Sequence, residues 1–264
     1  MKRKLLALDL DGTIVNDDYV LTEESKRALA RAREAGHVVA YVTGRRDVDM
    51  YNMRHDIPCA DYMVLNNGGK VVRNSDGAVL YNKTIAPEDC RKLIEYALEQ
   101  DLQLHICDGM TWIVTRMTEG TMDYARSLGI VPGVFRSLEE TEWEKGLEGF
   151  MATCDWDPIS RYIEENLPGA SYVHSEPECI DIMAPGIRKW DGIEILSRLL
   201  DIPTEDVIAA GNYYNDMDMI RMAGLGVAVA NSPQEVKDIA DYVTRLDNNH
   251  HAAVEIVSLA GVEV

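Results

Sequence analysis

Short apolar runs alternate with stretches of helical periodicity through the first part of the chain. Leu5-Leu6-Ala7-Leu8 reads as a strand and runs straight into Asp9-Leu10-Asp11-Gly12-Thr13. After a polar loop at Asn16-Asp17-Asp18, Thr22 caps a predicted helix with an apolar face of Ala28, Leu29 and Ala32, stopped at Gly36. Val38-Val39-Ala40-Tyr41-Val42 is an unbroken apolar strand, the kind buried on both faces of a parallel sheet, and ends in Thr43-Gly44-Arg45. The polar segment up to His55 is predicted helical. Residues 61–65 form a third strand ending in Asn66-Asn67-Gly68-Gly69. Strand, helix, strand, helix, strand is the order of a doubly wound α/β sheet.

The pattern then changes. Residues 70–73 and 78–81 flank Asn74-Ser75-Asp76-Gly77, a hairpin signal, and Pro87 opens a helix running to about Gln100. A second hairpin is expected around Asp108-Gly109, then a helix over 118–128, a strand over 147–153, a helix over 158–166, and strands at 171–174 and 179–183. Paired strands with helices between them indicate an inserted α+β domain over 83–185, flanked by core segments 1–82 and 186–264. Pro185-Gly186 marks the return. An amphipathic helix follows over 189–200, then a buried strand over 207–210 ending in Gly211-Asn212-Tyr213-Tyr214-Asn215-Asp216, and a helix to Ala223. The chain closes with a strand over 226–229, a helix capped by Ser232 with Pro233 at its first position, a short strand over 242–244 and a helix over 250–259.

Charge narrows the function classes. The formal net charge of −19 argues against nonspecific binding to nucleic acid or anionic membrane. An anionic substrate therefore needs a local positive site built from a metal, basic side chains or helix amino ends. The cysteines (Cys59, Cys90, Cys107, Cys154, Cys179) are scattered and form no Cys-x-x-Cys, which fits small core residues in a reducing compartment. The apolar run after Met1-Lys2-Arg3-Lys4 breaks at Asp9, too early for a secretory core. No apolar run approaches membrane-spanning length. The expected setting is cytoplasmic, for a monomer or small homo-oligomer.

Four polar clusters fall where such a sheet presents ligands, at the carboxyl ends of its strands. If the first strand continues through Leu10, Asp9 and Asp11 share a face. Thr43-Gly44 follows the second strand, and Asn212, Asn215 and Asp216 follow the strand over 207–210. Lys189 opens the helix after the insert. Two adjacent carboxylates are costly to ionise together without a cation. Their oxygen donors suit Mg²⁺. Such a set is equipped for phosphoryl transfer, with Mg²⁺ and Lys189 neutralising phosphoryl oxygens while a carboxylate attacks.

The whole chain resembles the haloacid dehalogenase-like superfamily of phosphohydrolases, in its Cof-type group with a large cap inserted after the third core strand. Asp9-Leu10-Asp11-Gly12-Thr13 matches the first family motif and Thr43-Gly44-Arg45 the second. Asn67-Gly68-Gly69 resembles the motif before the cap, Gly186-Ile187-Arg188-Lys189 the lysine motif after it, and Val227 to Val243, with Asn231, Glu235, Lys237 and Ala240-Asp241, the closing region. The resemblance implies a doubly wound, mostly parallel Rossmann-like core with an α+β cap over 83–185 that sets specificity. It implies a Mg²⁺-dependent phosphomonoester hydrolase acting on a small phosphorylated metabolite, a sugar phosphate being the expected class. By it, Asp9 is the nucleophile forming an aspartyl-phosphate and Asp11 the general acid and then base. Thr43, Gly44 and Lys189 bind phosphate, and Asp9, the Asp11 carbonyl, Asn212 and Asp216 hold Mg²⁺, with Asn215 and Arg45 in support.

Three positions depart from the family pattern. Asn212 stands where an aspartate is usual, Trp190 where a glycine is usual, and Asn249-His250-His251 replaces a more acidic turn. An amide oxygen brings no charge, so weaker metal binding is expected. Two other readings stay open: a phosphate-binding or regulatory homologue that has lost turnover, and a sugar phosphomutase on the same fold. Arg45 and Arg46 either attract phosphate or make surface ion pairs. His250-His251 is read as a surface pair, Trp190 as packing at the junction of core and cap, and the acidic run Glu139 to Glu144 as a solvated loop.

Overall fold

A computed structural model describes residues 2–50, 57, 60–140, 142–176 and 178–264. In chain order the strands are β1 (Leu5–Asp9), β2 (Val38–Val42), β3 (Tyr62–Leu65), β4 (Lys70–Arg73), β5 (Val79–Asn82), β6 (His105–Asp108), β7 (Thr111–Val114), β8 (Gly133–Val134), β9 (Gly149–Ala152), β10 (Ser171–Glu176), β11 (Cys179–Met183), β12 (Val207–Gly211), β13 (Leu225–Ala228) and β14 (Tyr242–Val243). The helices are α1 (Glu23–Glu34), α2 (Pro87–Glu99), α3 (Glu119–Leu128), α4 (Trp156–Asn166), α5 (Lys189–Leu199), α6 (Met217–Met222), α7 (Gln234–Lys237) and α8 (Ala252–Leu259). The helix expected up to His55 falls largely on residues 51–56, outside the described ones.

The chain divides into two compact units. The first comprises Met1–Gly44, Met53–Tyr81 and Arg188–Val264. Its sheet runs β14-β13-β12-β1-β2-β3-β4-β5. β1 is central, pairing in parallel with β12 (Leu5 beside Val207) and with β2 (Leu5 beside Val38). Every residue of β1, β2 and β12 is buried. Because side chains alternate across a strand, burial at every position requires cover on both faces. On one face Leu5, Ala7, Val38, Ala40, Val42, Val207 and Ala209 pack with Trp190, Ile193 and Leu196 of α5 and Met219 of α6. Trp190 is thus a core side chain of this unit. The antiparallel β3–β4 pair ends the parallel run.

The second unit comprises Arg45–Asn52 and Asn82–Ile187. Its sheet runs β10-β11-β9-β6-β7-β8, with antiparallel pairings except the short β7–β8 contact. Leu93, Ile94 and Ala97 of α2 and Ile159 and Ile163 of α4 cover one face, against Ile106, Phe150, Ile180 and Ile182. Val48 packs with Cys107, Trp112, Val114, Ala125 and Leu128. Arg46 pairs with Asp49 at 2.8 Å and lies against the sulfurs of Cys107 and Met151. The stretch just after Gly44 is therefore built into the second unit.

Smaller differences from expectation have local causes. α7 starts at Gln234 with Pro233 as its N-cap in extended conformation (ψ 154°), so Ser232 is not the cap. The Ser232 amide instead closes a turn on the Val229 carbonyl. Cys90, Cys107 and Cys179 are buried and Cys154 is exposed, whereas Cys59 lies outside the described residues. Among the described residues no helix is long and apolar enough to cross a membrane.

Candidate active site

The site starts where β1 stops. The strand ends at Asp9 and does not continue through Leu10, so the two aspartates are not successive same-face positions of one strand. The amides of Thr13, Ile14 and Val15 all donate to the Leu10 carbonyl, at 3.1, 3.1 and 3.0 Å. That convergence is a tight turn, and it needs Gly12 in the left-handed region (φ 73°). The turn brings Thr13 back over the strand end, where its hydroxyl donates to Asp9 Oδ2 at 2.7 Å. Asp11 follows in the turn, near enough for its charge to oppose ionisation of Asp9.

Lys189 enters from α5. Its Nζ donates to Asp9 Oδ1 and Asp216 Oδ1, both at 2.6 Å, and all three side chains are buried. Two glycines allow this approach. A Cβ on Gly68 would overlap the Arg188 carbonyl, and one on Gly192 would overlap Val64 and lie 2.8 Å from the Gly68 carbonyl oxygen. The first turn of α5 therefore rests directly on the backbone after β3. Gly211 plays the same part for Asp216, whose carboxylate fills the space a Cβ there would take. Asp216 Oδ2 accepts from the amides of Asn212 and Tyr213 at 2.9 and 3.0 Å. With Oδ1 held by Lys189, both oxygens are engaged, so in this structure Asp216 fixes the lysine and the loop.

Two carboxylates share one ammonium in this buried cluster. Burial and the Asp216 charge push the Asp9 carboxyl up to about 7, against the pull of Lys189. Burial works against the charge on Lys189 too, but Asp216 and Asp9 outweigh it and hold its pKa above the ordinary range. The cluster is short of positive charge.

Asn212 completes the strand-end group. Thr13 has a single hydroxyl proton and gives it to Asp9 Oδ2, so toward Asn212, 3.1 Å away, it is an acceptor. The amide atom facing it is then the nitrogen, whose two hydrogens are shared among Thr13 Oγ1 (3.1 Å), the Asp11 carbonyl (3.1 Å) and Asp9 Oδ2 (3.3 Å). The Asp9 carboxylate and the Asp11 carbonyl thus converge on one point. These hard oxygen donors fit Mg²⁺ in kind, with the Asn212 carbonyl as a third if the amide is turned. Among the described residues no three His, Cys, Asp or Glu side chains group as metal ligands.

Thr43 and Gly44 follow β2. Thr43 is buried, its amide donating to the Val64 carbonyl at 2.9 Å and its carbonyl accepting from Asn67 at 3.1 Å. Asn67, in the left-handed region (φ 52°), lies against Gly44 and accepts from Asn215 Nδ2 at 3.4 Å. Asp9, Thr13, Lys189, Asn212 and Asp216 thus form one contact group, and Asn215, Asn67 and Gly44 form a second. Arg45 groups with the second unit. Tyr213 and Tyr214 are exposed and meet edge to face at 4.9 Å. His250 pairs with Asp247, while His251 contacts Thr22, so they act separately. Sequence reasoning missed Thr13 as a partner of Asp9 and Gly192 as the spacer under α5, and it named Asn231 in the closing region without its contact, an amide donating to the Gly12 carbonyl at 2.8 Å.

Comparison with known proteins places the chain in a family. A family profile described as haloacid dehalogenase-like hydrolase matches residues 6–256. A Bacillus subtilis protein named 5-amino-6-(5-phospho-D-ribitylamino)uracil phosphatase is 28% identical over 246 residues, 91% of this chain and 89% of that one. A second Bacillus subtilis protein, named simply a phosphatase, is 24% identical over 278 residues, 95% of this chain and 97% of that one. The crystal structure of a haloacid dehalogenase-like hydrolase from Bacteroides thetaiotaomicron superposes with a TM-score of 0.87 at 24% identity, covering 98% of this chain and 99% of that one. With the profile spanning both core segments and the insert, the chain belongs to the haloacid dehalogenase-like hydrolase family.

Proposed function

We propose that the chain is a Mg²⁺-dependent phosphomonoester hydrolase that passes through an aspartyl-phosphate on Asp9. The observation that carries this reading is the buried Lys189 ammonium held at 2.6 Å from both Asp9 and Asp216 at the end of the central strand. Asp9 attacks phosphorus, and Lys189 and Thr13 fix its carboxylate orientation. Asp11 first gives a proton to the leaving alcohol and then takes one from the attacking water. Thr43 and the Gly44 amide bind phosphoryl oxygens. Asp9, the Asp11 carbonyl and Asn212 would hold Mg²⁺, which when bound would supply the positive charge the carboxylate pair lacks and offset the negative charge of the phosphoryl oxygens. Asp216 acts behind Lys189, Asn215 supports through Asn67, and Arg45 draws anions toward the site.

The proposed substrate is a small soluble phosphorylated metabolite of the sugar-phosphate class. The uracil-derivative phosphatase among the relatives is named for a phosphate on a ribityl chain. The insert is proposed as the cap that closes over the leaving group and sets specificity, with loop and helix motions of the kind that gate other sites. Purified protein with MgCl₂ is expected to hydrolyse p-nitrophenyl phosphate, and D9N to remove the activity. D9N retaining the rate would contradict the role of Asp9. A panel of phosphorylated metabolites then identifies the preferred substrate.

A further inference from the structure

The amide of Asn212 sits where two of the proposed metal's oxygen ligands converge. Its nitrogen is 3.3 Å from Asp9 Oδ2 and 3.1 Å from the Asp11 carbonyl oxygen. Its placement follows from neighbours and not from a preference of its own: Thr13 spends its proton on Asp9, and the other facing atoms are acceptors. The remaining amide atom rests against Gly12, where a Cβ would overlap it. The backbone amide of Asn212 is fixed by Asp216. Position, orientation and seat are therefore all determined by named partners.

We infer that the Asn212 side-chain NH₂ group is an internal stand-in for the cation, bridging the Asp9 carboxylate and the Asp11 carbonyl. In an aspartate-bearing site a third oxygen, from the carboxylate at position 212, would face these two and repel them until a metal entered. Here both are already satisfied by the amide N–H donors. Mg²⁺ binds only after the amide turns its carbonyl inward and gives up those hydrogen bonds. The metal-free protein is thereby stabilised and metal affinity lowered. The inference rests on the magnesium reading above, but its test reads melting temperature and metal binding, so it does not depend on turnover.

Wild type, N212D and N212L are freed of metal with EDTA, dialysed, and followed by thermal unfolding and by calorimetric titration with MgCl₂ alone. Leucine matches asparagine in shape and lacks both donor and charge. Metal-free N212D is expected to melt about 5 °C or more below wild type, since it exchanges donors for repulsion. Mg²⁺ raises N212D by more than it raises wild type and binds it about tenfold more tightly or better. If N212D folds only when Mg²⁺ is present, that is the same result in its extreme form. N212L is expected to melt below wild type with little response to Mg²⁺. An N212L as stable as wild type, or an N212D at least as stable as wild type without metal, overturns the bridge alone. Wild type and N212D both indifferent to Mg²⁺ overturn it together with the magnesium reading.

Discussion

At the scale of single residues, Lys189 has the most at stake. It is one ammonium between two carboxylates, with all three side chains buried. Exposed pairs such as Lys26–Glu23 contribute at most about 1 kcal/mol, because water screens them and the side chains lose entropy in holding one geometry. Removing one partner from a buried pair costs about 3–5 kcal/mol, since it strands an uncompensated charge. K189M should lose stability in that range in urea unfolding, and K189M/D216N should recover part of it by removing one stranded carboxylate. A second buried residue governs acid stability. His105 Nδ1 accepts from Trp112 at 3.1 Å, and burial, reinforced by nearby Arg46, pushes its pKa down to about 3, with Asp49 opposing. Above the ordinary value of about 6.5 it is neutral folded or unfolded and affects nothing. Below that, the unfolded chain takes up a proton the folded one refuses, so stability falls by up to about 1.4 kcal/mol per pH unit until about pH 3. H105N keeps an acceptor for Trp112 without the titration. Its melting temperature should fall less than that of wild type between about pH 6.5 and pH 4.

At the scale of elements, the approach of α5 to the end of β3 sets the position of Lys189. Gly68 and Gly192 are the reason it is close. G192A places a methyl group onto Val64 and the Gly68 backbone, which is overpacking of about 1–3 kcal/mol. The expected result is a lower melting temperature together with a lower kcat, because displacing the helix displaces Lys189. The parallel strands, the helix breaks and the paired strands of the insert were legible because apolar runs and Gly or Pro punctuation report local burial and turns. The route from Asp9 to Asp11 was not, since a four-residue apolar run does not say that Leu10 will collect three amides. Gly192 was also hidden, because a glycine inside an amphipathic pattern carries no sign of what will press against it. The motifs marked Asp9, Lys189 and Asp216 as functional, but only coordinates show that Asp216 spends both oxygens on Lys189 and two backbone amides. The same holds for Asn212, where the letter says only that charge is missing and the hydrogen bonds say what the amide does instead.

At the scale of the whole molecule, the chain carries a formal charge of −19. Self-repulsion on that scale opposes the compact state, and salt screens it. Raising NaCl from about 0.01 M to about 0.15 M shortens the screening length from about 30 Å to about 8 Å and should raise the melting temperature. A fall on adding salt would mean that the surface ion pairs outweigh the net repulsion. Under the proposed function, the same negative field makes binding a phosphate monoester a local matter, resting on Lys189, backbone amides and the proposed cation. In the proposed mechanism Asp9 carries the phosphoryl group. The most direct measurement of this is an acid-quenched single turnover followed by peptide mass spectrometry, with borohydride to reduce any acyl phosphate. A phosphoryl adduct is expected on the peptide holding Asp9, converted by borohydride to homoserine at position 9 and absent in D9N. Turnover with no adduct, or with the adduct on Asp11, would contradict it.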